Sequence, residues 1–207
     1  MREPVDVQSD NLDGCPVHTA MMALYMFGLI PEPNVELVSR KLRRKNGELA
    51  IGSTMLLMLE HKLRLQRIGT FDGERFGKEG IDYLRKINER ELQHLSKEQI
   101  AEWQAEVVEL LGLYAAYGKQ FTTVKPLRQP TMDDICKALN QGKLVEVTMG
   151  RSKPNSNGLA ALVYGMEGDH PLVYLPRRRR ASLTTFHRSL FDKEWWPQER
   201  GITIIGQ

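Results

Sequence analysis

Asp13-Gly14-Cys15-Pro16-Val17-His18-Thr19-Ala20-Met21-Met22-Ala23-Leu24-Tyr25-Met26-Phe27-Gly28 is the stretch that decides the fold. Asp13 or Cys15 is suited to cap a helix, Pro16 to occupy its first turn, and Gly28 to end it. Between them apolar residues cover nearly the whole circumference. A helix that is apolar on every side belongs at the centre of a domain rather than on its surface. The stretch therefore predicts a buried helix with a cysteine at its start.

That placement gives Cys15 its interest. A thiol at a helix N-terminus lies beside unpaired backbone N–H groups and the positive end of the macrodipole, and both favour the thiolate, the nucleophilic form. The competing reading is a small buried apolar residue, which is what most free cysteines are. His18, three positions on and on nearly the same helical face, is one candidate base for the thiol; a hydrogen-bonded histidine near a helix start is the alternative.

Working outward, Pro31 and Pro33 punctuate the chain, Asn34 is placed to cap, and Val35 to Arg44 reads as a short amphipathic helix closed by Asn46-Gly47. Ser53 to about Lys62 reads as another helix, and Arg64 to Ile68 as a short strand. Phe76 to about Tyr117 is helical and highly charged, with a break expected near His94 and a capping-box start at Ser96-Lys97-Glu98-Gln99. Within residues 70–120 this forms an accessory helical arm. Gly118 to Pro130 reads as a loop, and Thr131 as the cap of a further helix. The period then changes to two: strands are expected at Leu144–Met149, Leu159–Met166, Leu172–Tyr174 and Ile202–Ile205, with a short helix near Leu190–Trp195. Helices first and an antiparallel meander afterwards predict a single α+β domain over residues 1–207.

Composition agrees and excludes several classes. The chain has 207 residues, enough to bury a core without disulfides, with 41% hydrophobic and 27% charged residues. Its longest apolar run, Ala20 to Ile30, is too short to span a bilayer, and the opening Met1-Arg2-Glu3-Pro4 is unlike a secretory leader, so a cytoplasmic location with no membrane partner is expected. Two cysteines, Cys15 and Cys136, are too few for a disulfide framework or a thiolate zinc site, and no metal or cofactor is expected. The net charge of +3 is too mild to mark a polyelectrolyte binder.

The ends of the chain carry a resemblance. Gln8, Cys15 and Ala20 stand before and within the first helix. Later come Ile135 to Asn140, then Gln141-Gly142-Lys143-Leu144-Val145-Glu146-Val147, Gly158-Leu159-Ala160-Ala161-Leu162-Val163-Tyr164-Gly165, Leu172-Val173-Tyr174-Leu175-Pro176, and the ending Phe191 to Trp196 followed by Gly201 to Ile205. This order resembles the papain-like cysteine peptidases, in particular the branch of bacteriocin-leader peptidases, over about Val7–Phe27 and Thr131–Ile205. The resemblance implies a central helix packed on a C-terminal antiparallel sheet, and action on a peptide, amide or thioester carbonyl through Cys15, by hydrolysis or acyl transfer. The backbone N–H of Cys15 and the Gln8 side chain would be the oxyanion donors. The pattern departs from the family where catalysis needs it: Leu159 stands at the position of the general base and Leu175 at that of its orienting Asp or Asn, and neither side chain accepts a proton. A thiolate alone attacks an activated thioester, but amide hydrolysis also needs a proton for the leaving amine. A catalytically inactive module that binds a peptide or partner protein is the alternative.

Other features are less specific. Lys153 to Gly158 is a polar loop ahead of a strand that would flank the cleft, which makes Asn157 and Gly158 candidate substrate contacts. Trp196, in Trp195-Trp196-Pro197, is a third, against the plainer reading that it packs the last helix. Arg177-Arg178-Arg179-Arg180 offers a site for phosphate or a nucleic-acid backbone. A solvated basic loop explains it as well, so a peptide, an acyl-carrier-type substrate or a protein partner is favoured over nucleic acid.

Overall fold

The computed structural model describes residues 1–7, 15–42, 44–45, 48–49, 52–87, 96–150, 159–177, 180–195 and 201–207. Helix α1 (Cys15–Met26) is the centrepiece: Val17, Ala20, Met21, Met22, Ala23 and Leu24 are buried around its whole circumference, as the sequence requires of it. Gly28, at φ +72°, supplies the left-handed turn that ends it. α2 (Val35–Lys41) is followed by two short paired strands, β1 (Arg44–Lys45) and β2 (Glu48–Leu49), where the sequence reading continued the helix to Arg44. α3 (Ser53–Glu60) leads into β3 (Arg64–Ile68).

The arm comprises α4 (Gly73–Glu79), α5 (Ile81–Ile87) and α6 (Lys97–Ala115). It breaks at Gly80, at φ +54°; the break anticipated near His94 lies outside the described residues. Phe76, Tyr83, Leu84 and Ile100 give it a small core of its own, against which Phe71 and Trp103 stack at 5.6 Å. The Ser96–Gln99 capping box is present with both reciprocal bonds.

The remaining elements are β4 (Phe121–Thr123), α7 (Met132–Asn140), β5 (Leu144–Met149), β6 (Leu159–Glu167), β7 (His170–Arg177), β8 (Arg180–Thr185), α8 (Arg188–Glu194) and β9 (Ile202–Gly206). They build a seven-stranded sheet in the order β4-β3-β9-β5-β6-β7-β8, antiparallel except for the β3–β4 pair. The α+β expectation holds. The sheet is wider than the C-terminal meander, because β3 and β4 join it from the first part of the chain and β8 from the arginine run. Arg177 and Arg180 are paired across β7 and β8, and Arg178 and Arg179 lie outside the described residues.

Alternation along the strands assigns one face of the sheet to each helical layer. Leu65, Leu144, Leu162, Tyr174 and Ile205 pack with α1 and α3; Val145, Val147, Ala161, Val163 and Leu175 pack on the other side with residues of α7 and α8. α1 itself lies on β6 and β7. Among the described residues no helix is long and apolar enough to cross a membrane.

Candidate functional site

The direction of α1 fixes which end of the sheet adjoins Cys15. Its C-terminal end lies where β9 finishes, since Gln207 Nε2 donates to Phe27 O at 3.2 Å, and there β3 and β5 begin, with Arg64 opposite Gly206 and Leu144 opposite Ile205. The helix start therefore points to the other end, where β5 finishes and β6 begins with Met149 opposite Leu159. Cys15 is the first residue of α1. Its side chain lies outside the described residues, as do Gln8, Asn157, Gly158 and Trp196.

His18 is 6% exposed and directs Nδ1 at Tyr174 Oη, 3.5 Å away in the core. Burial holds the Tyr174 phenol above its ordinary range, with Asp6 adding to the effect, so this hydroxyl keeps its proton. His170 and His187 are at the far end of the sheet. His170 opens β7 opposite Glu167, its ring 4.8 Å from that of His187; His170 Nδ1 lies 2.7 Å from an Asp169 carboxylate oxygen without hydrogen-bond geometry, and His187 Nδ1 lies 2.8 Å from Ser189 Oγ. His61 caps the C-terminal end of α3, immediately before β3, also away from Cys15.

Leu159 belongs to the row of Ala161 and Val163, on the α7 and α8 side, and the β6 residue on the α1 face near the helix start is Ala160. On β7, Leu175 likewise turns away from α1, and the neighbouring α1-face positions are Tyr174 and Pro176. Alanine and proline side chains accept a proton no better than leucine.

No family model, curated protein or solved structure compared with the chain matches it.

One turn into α1 the structure assembles polar residues that sequence reading had passed over. Thr19 is fully buried, and its Oγ1 lies 2.6 Å from Glu146 Oε2 and 3.0 Å from Pro16 O. A hydroxyl has one proton, and a backbone carbonyl only accepts. Both contacts are full hydrogen bonds only when the Glu146 carboxyl carries a proton and donates to Thr19, which then donates to Pro16 O. Burial, the largest influence, raises the Glu146 pKa and favours that neutral form; a hydrogen bond donated by Thr19 would act against it.

Glu146 also belongs to a row across the sheet. Thr123, Arg67, Thr203 and Glu146 are successive register partners on β4, β3, β9 and β5. This puts the Cα atoms of Arg67 and Glu146 about 10 Å apart, two strand spacings. The row floors a cavity of about 360 Å³ between the sheet and the arm, walled by Met55, Trp103, Leu110 and Tyr114. Tyr114 is buried, which pushes its phenol up to about 12; Arg67 opposes the shift and Glu146 adds to it, so both side chains act on this hydroxyl. Arg67 also carries its guanidinium 5.9 Å from the Phe71 ring centre. The sequence signal for this site is a lone acid in the otherwise apolar strand Leu-Val-Glu-Val-Thr-Met and a lone inward arginine in Arg-Leu-Gln-Arg-Ile. Among the described residues no cluster of His, Cys, Asp and Glu is arranged to hold a metal ion.

Proposed function

We propose that the chain is a papain-like module that binds a peptide or acyl-bearing partner beside the start of α1 and does not hydrolyse amides. The observation that carries this reading is the distribution of the described imidazoles: His18 directs Nδ1 at Tyr174 inside the core, and His170 and His187 lie at the opposite end of the sheet. The papain-like part rests on a buried helix beginning at Cys15, laid on β6 and β7 of a largely antiparallel sheet. Ala160 and Pro176 occupy the helix-facing positions nearest that start, and neither of these described side chains takes and returns a proton.

Breaking an amide requires protonation of the leaving amine as the tetrahedral intermediate collapses. A thioester releases a thiolate and has no such need. The helix-start position of Cys15 thus supports a second reading, acyl transfer from activated thioesters.

Matched peptide amide and peptide thioester substrates test both readings in the wild type and in Cys15→Ala. The expected result is no difference between the two proteins on the amide, whatever the thioester does. Amide cleavage that Cys15→Ala abolishes overturns the proposal.

A further inference from the structure

We propose that the outer edge of β8 is a strand-addition site for an extended acidic peptide, which pairs with the backbone of Leu183 and Thr185 and directs its carboxylates to the arginine run. The inference rests on the peptide-binding reading above and gives that reading a surface and a ligand chemistry. It starts from the two edges of the sheet. β4, at one edge, is three residues long and is followed by Pro126, so another strand finds little backbone to pair with there. β8, at the other edge, is six residues long, holds an unbroken register with β7 and contains no proline. Among the described residues no strand covers its outer side.

The backbone of β8 shows which groups face outward. Phe186 N donates to Pro171 O at 2.9 Å, one step beyond the Thr185–Leu172 pair. Alternation in an antiparallel ladder then turns the N–H and C=O of Ser182 and Thr184 toward β7, and those of Ala181, Leu183 and Thr185 away from it. One of these outward donors already meets a carboxylate. Leu183 N donates to Asp6 Oδ1 at 3.3 Å, longer than the usual amide bond of about 2.9–3.0 Å. A side chain from the first residues of the chain therefore stands where the carbonyl of an added strand would be, held by a bond that such a strand can replace. The Leu183 side chain is 39% exposed and offers an apolar contact to the residue that comes to lie beside it.

Charge selects the peptide. Continuing the β6–β7 register from the Leu162–Tyr174 pair brings Arg177 level with Leu159, so the paired Arg177 and Arg180 lie at the same end of the sheet as the start of α1. The sequence from Arg177 to Arg180 is arginine throughout. Guanidinium groups bind carboxylates through paired, charge-assisted hydrogen bonds, so a strand laid along β8 gains most when acidic residues occupy the end beside this run. That end also brings the peptide to the start of α1.

Titration of the isotope-labelled wild-type protein with the acetylated, amidated peptide Thr-Val-Thr-Val-Glu-Glu, followed by the chemical shifts of its backbone amides, provides the test. Saturable shifts at Leu183 and Thr185 are expected, with the Gln-Gln counterpart bound at least fivefold more weakly. Thr185→Pro removes one outward N–H without taking a bond from the β7 ladder and should weaken the peptide at least tenfold, whereas Thr185→Val should leave the affinity unchanged. Equal affinity for the two peptides overturns the proposal, as do shifts that spare Leu183 and Thr185, or no saturation by about 5 mM, above the ~1 mM scale of weak complexes. The shift map decides the matter even if Thr185→Pro does not fold. Broadening of the same amides with protein concentration alone assigns the edge to a second copy of the chain and likewise overturns the proposal. None of these outcomes bears on turnover at Cys15, which the amide and thioester substrates decide separately.

Discussion

Replacing Thr19 by valine, nearly the same shape without the hydroxyl, isolates the contact that brings α1 and β5 together. Thr19 is fully buried, and its hydroxyl links Glu146 Oε2 at 2.6 Å with Pro16 O at 3.0 Å. The substitution leaves no cavity but strands the Glu146 carboxyl, and an unsatisfied buried polar group costs about 1–3 kcal/mol. At about 2–4 °C per kcal/mol for a domain of this size, the melting temperature should fall by about 2–12 °C. Thr19→Val combined with Glu146→Leu should be less damaging than the two separate losses added, because the double variant has no stranded carboxyl; a coupling of about 1–2 kcal/mol is expected. Urea unfolding followed by circular dichroism measures all four proteins. Additivity within about 0.5 kcal/mol would refute the linkage.

The same carboxyl gives a pH dependence of defined sign. Burial raises the Glu146 pKa in the folded state. Its stabilising protonated form is therefore complete below the unfolded carboxylate value of about 4.3, and the benefit is lost as pH rises through the folded value. Glu146→Gln does not titrate, so its stability relative to wild type should improve between pH 4 and pH 8, measured by urea unfolding at each. Asp134 behaves in the opposite way: Arg128, at 2.6 and 2.7 Å, holds its carboxyl down to about 2. Asp134→Asn should cost about 1–2 kcal/mol at pH 7, reduced by the exposure of Arg128, and the difference should vanish as pH falls from about 4 to about 2. Gly52, at φ +72°, has no room for a Cβ, which would land on the Tyr114 hydroxyl. Gly52→Ala should cost about 1–3 kcal/mol by thermal melting. Trp103→Ala removes the ring between Phe71 and Phe76 and should cost about 2–4 kcal/mol, with faster amide exchange in α4 and α6.

Local signals in the sequence were legible where a single element decides its own structure. α1 is apolar on every side and lies at the centre; Ser96 and Thr131 open their helices with the capping boxes their sequences spell out. What escaped is mostly non-local. β4 is three residues long and exists because it pairs in parallel with β3, whose Leu65 stands opposite Phe121. β8 begins inside an arginine run whose composition reads as a solvated loop, and becomes a strand by pairing with β7. The cavity was hidden for the same reason: Arg67 and Glu146 are visible as polar residues in strands, but only β9 inserting between β3 and β5 sets them on either side of Thr203. Register likewise decides which β6 side chains face α1, because alternation there is fixed by pairing with β5 rather than by the order of residue types.

The pH profile of Cys15 alkylation by iodoacetamide, followed at the peptide level so that Cys136 is counted separately, tests the central claim without a known substrate. A thiol served by the helix end alone should titrate once, with labelling falling steadily below its pKa and with the same profile in His18→Leu. A cysteine paired with an imidazolium stays thiolate to far lower pH, about 3–4 in such pairs. A labelling plateau reaching down to about pH 5 that a histidine substitution abolishes would contradict the account and restore a working peptidase.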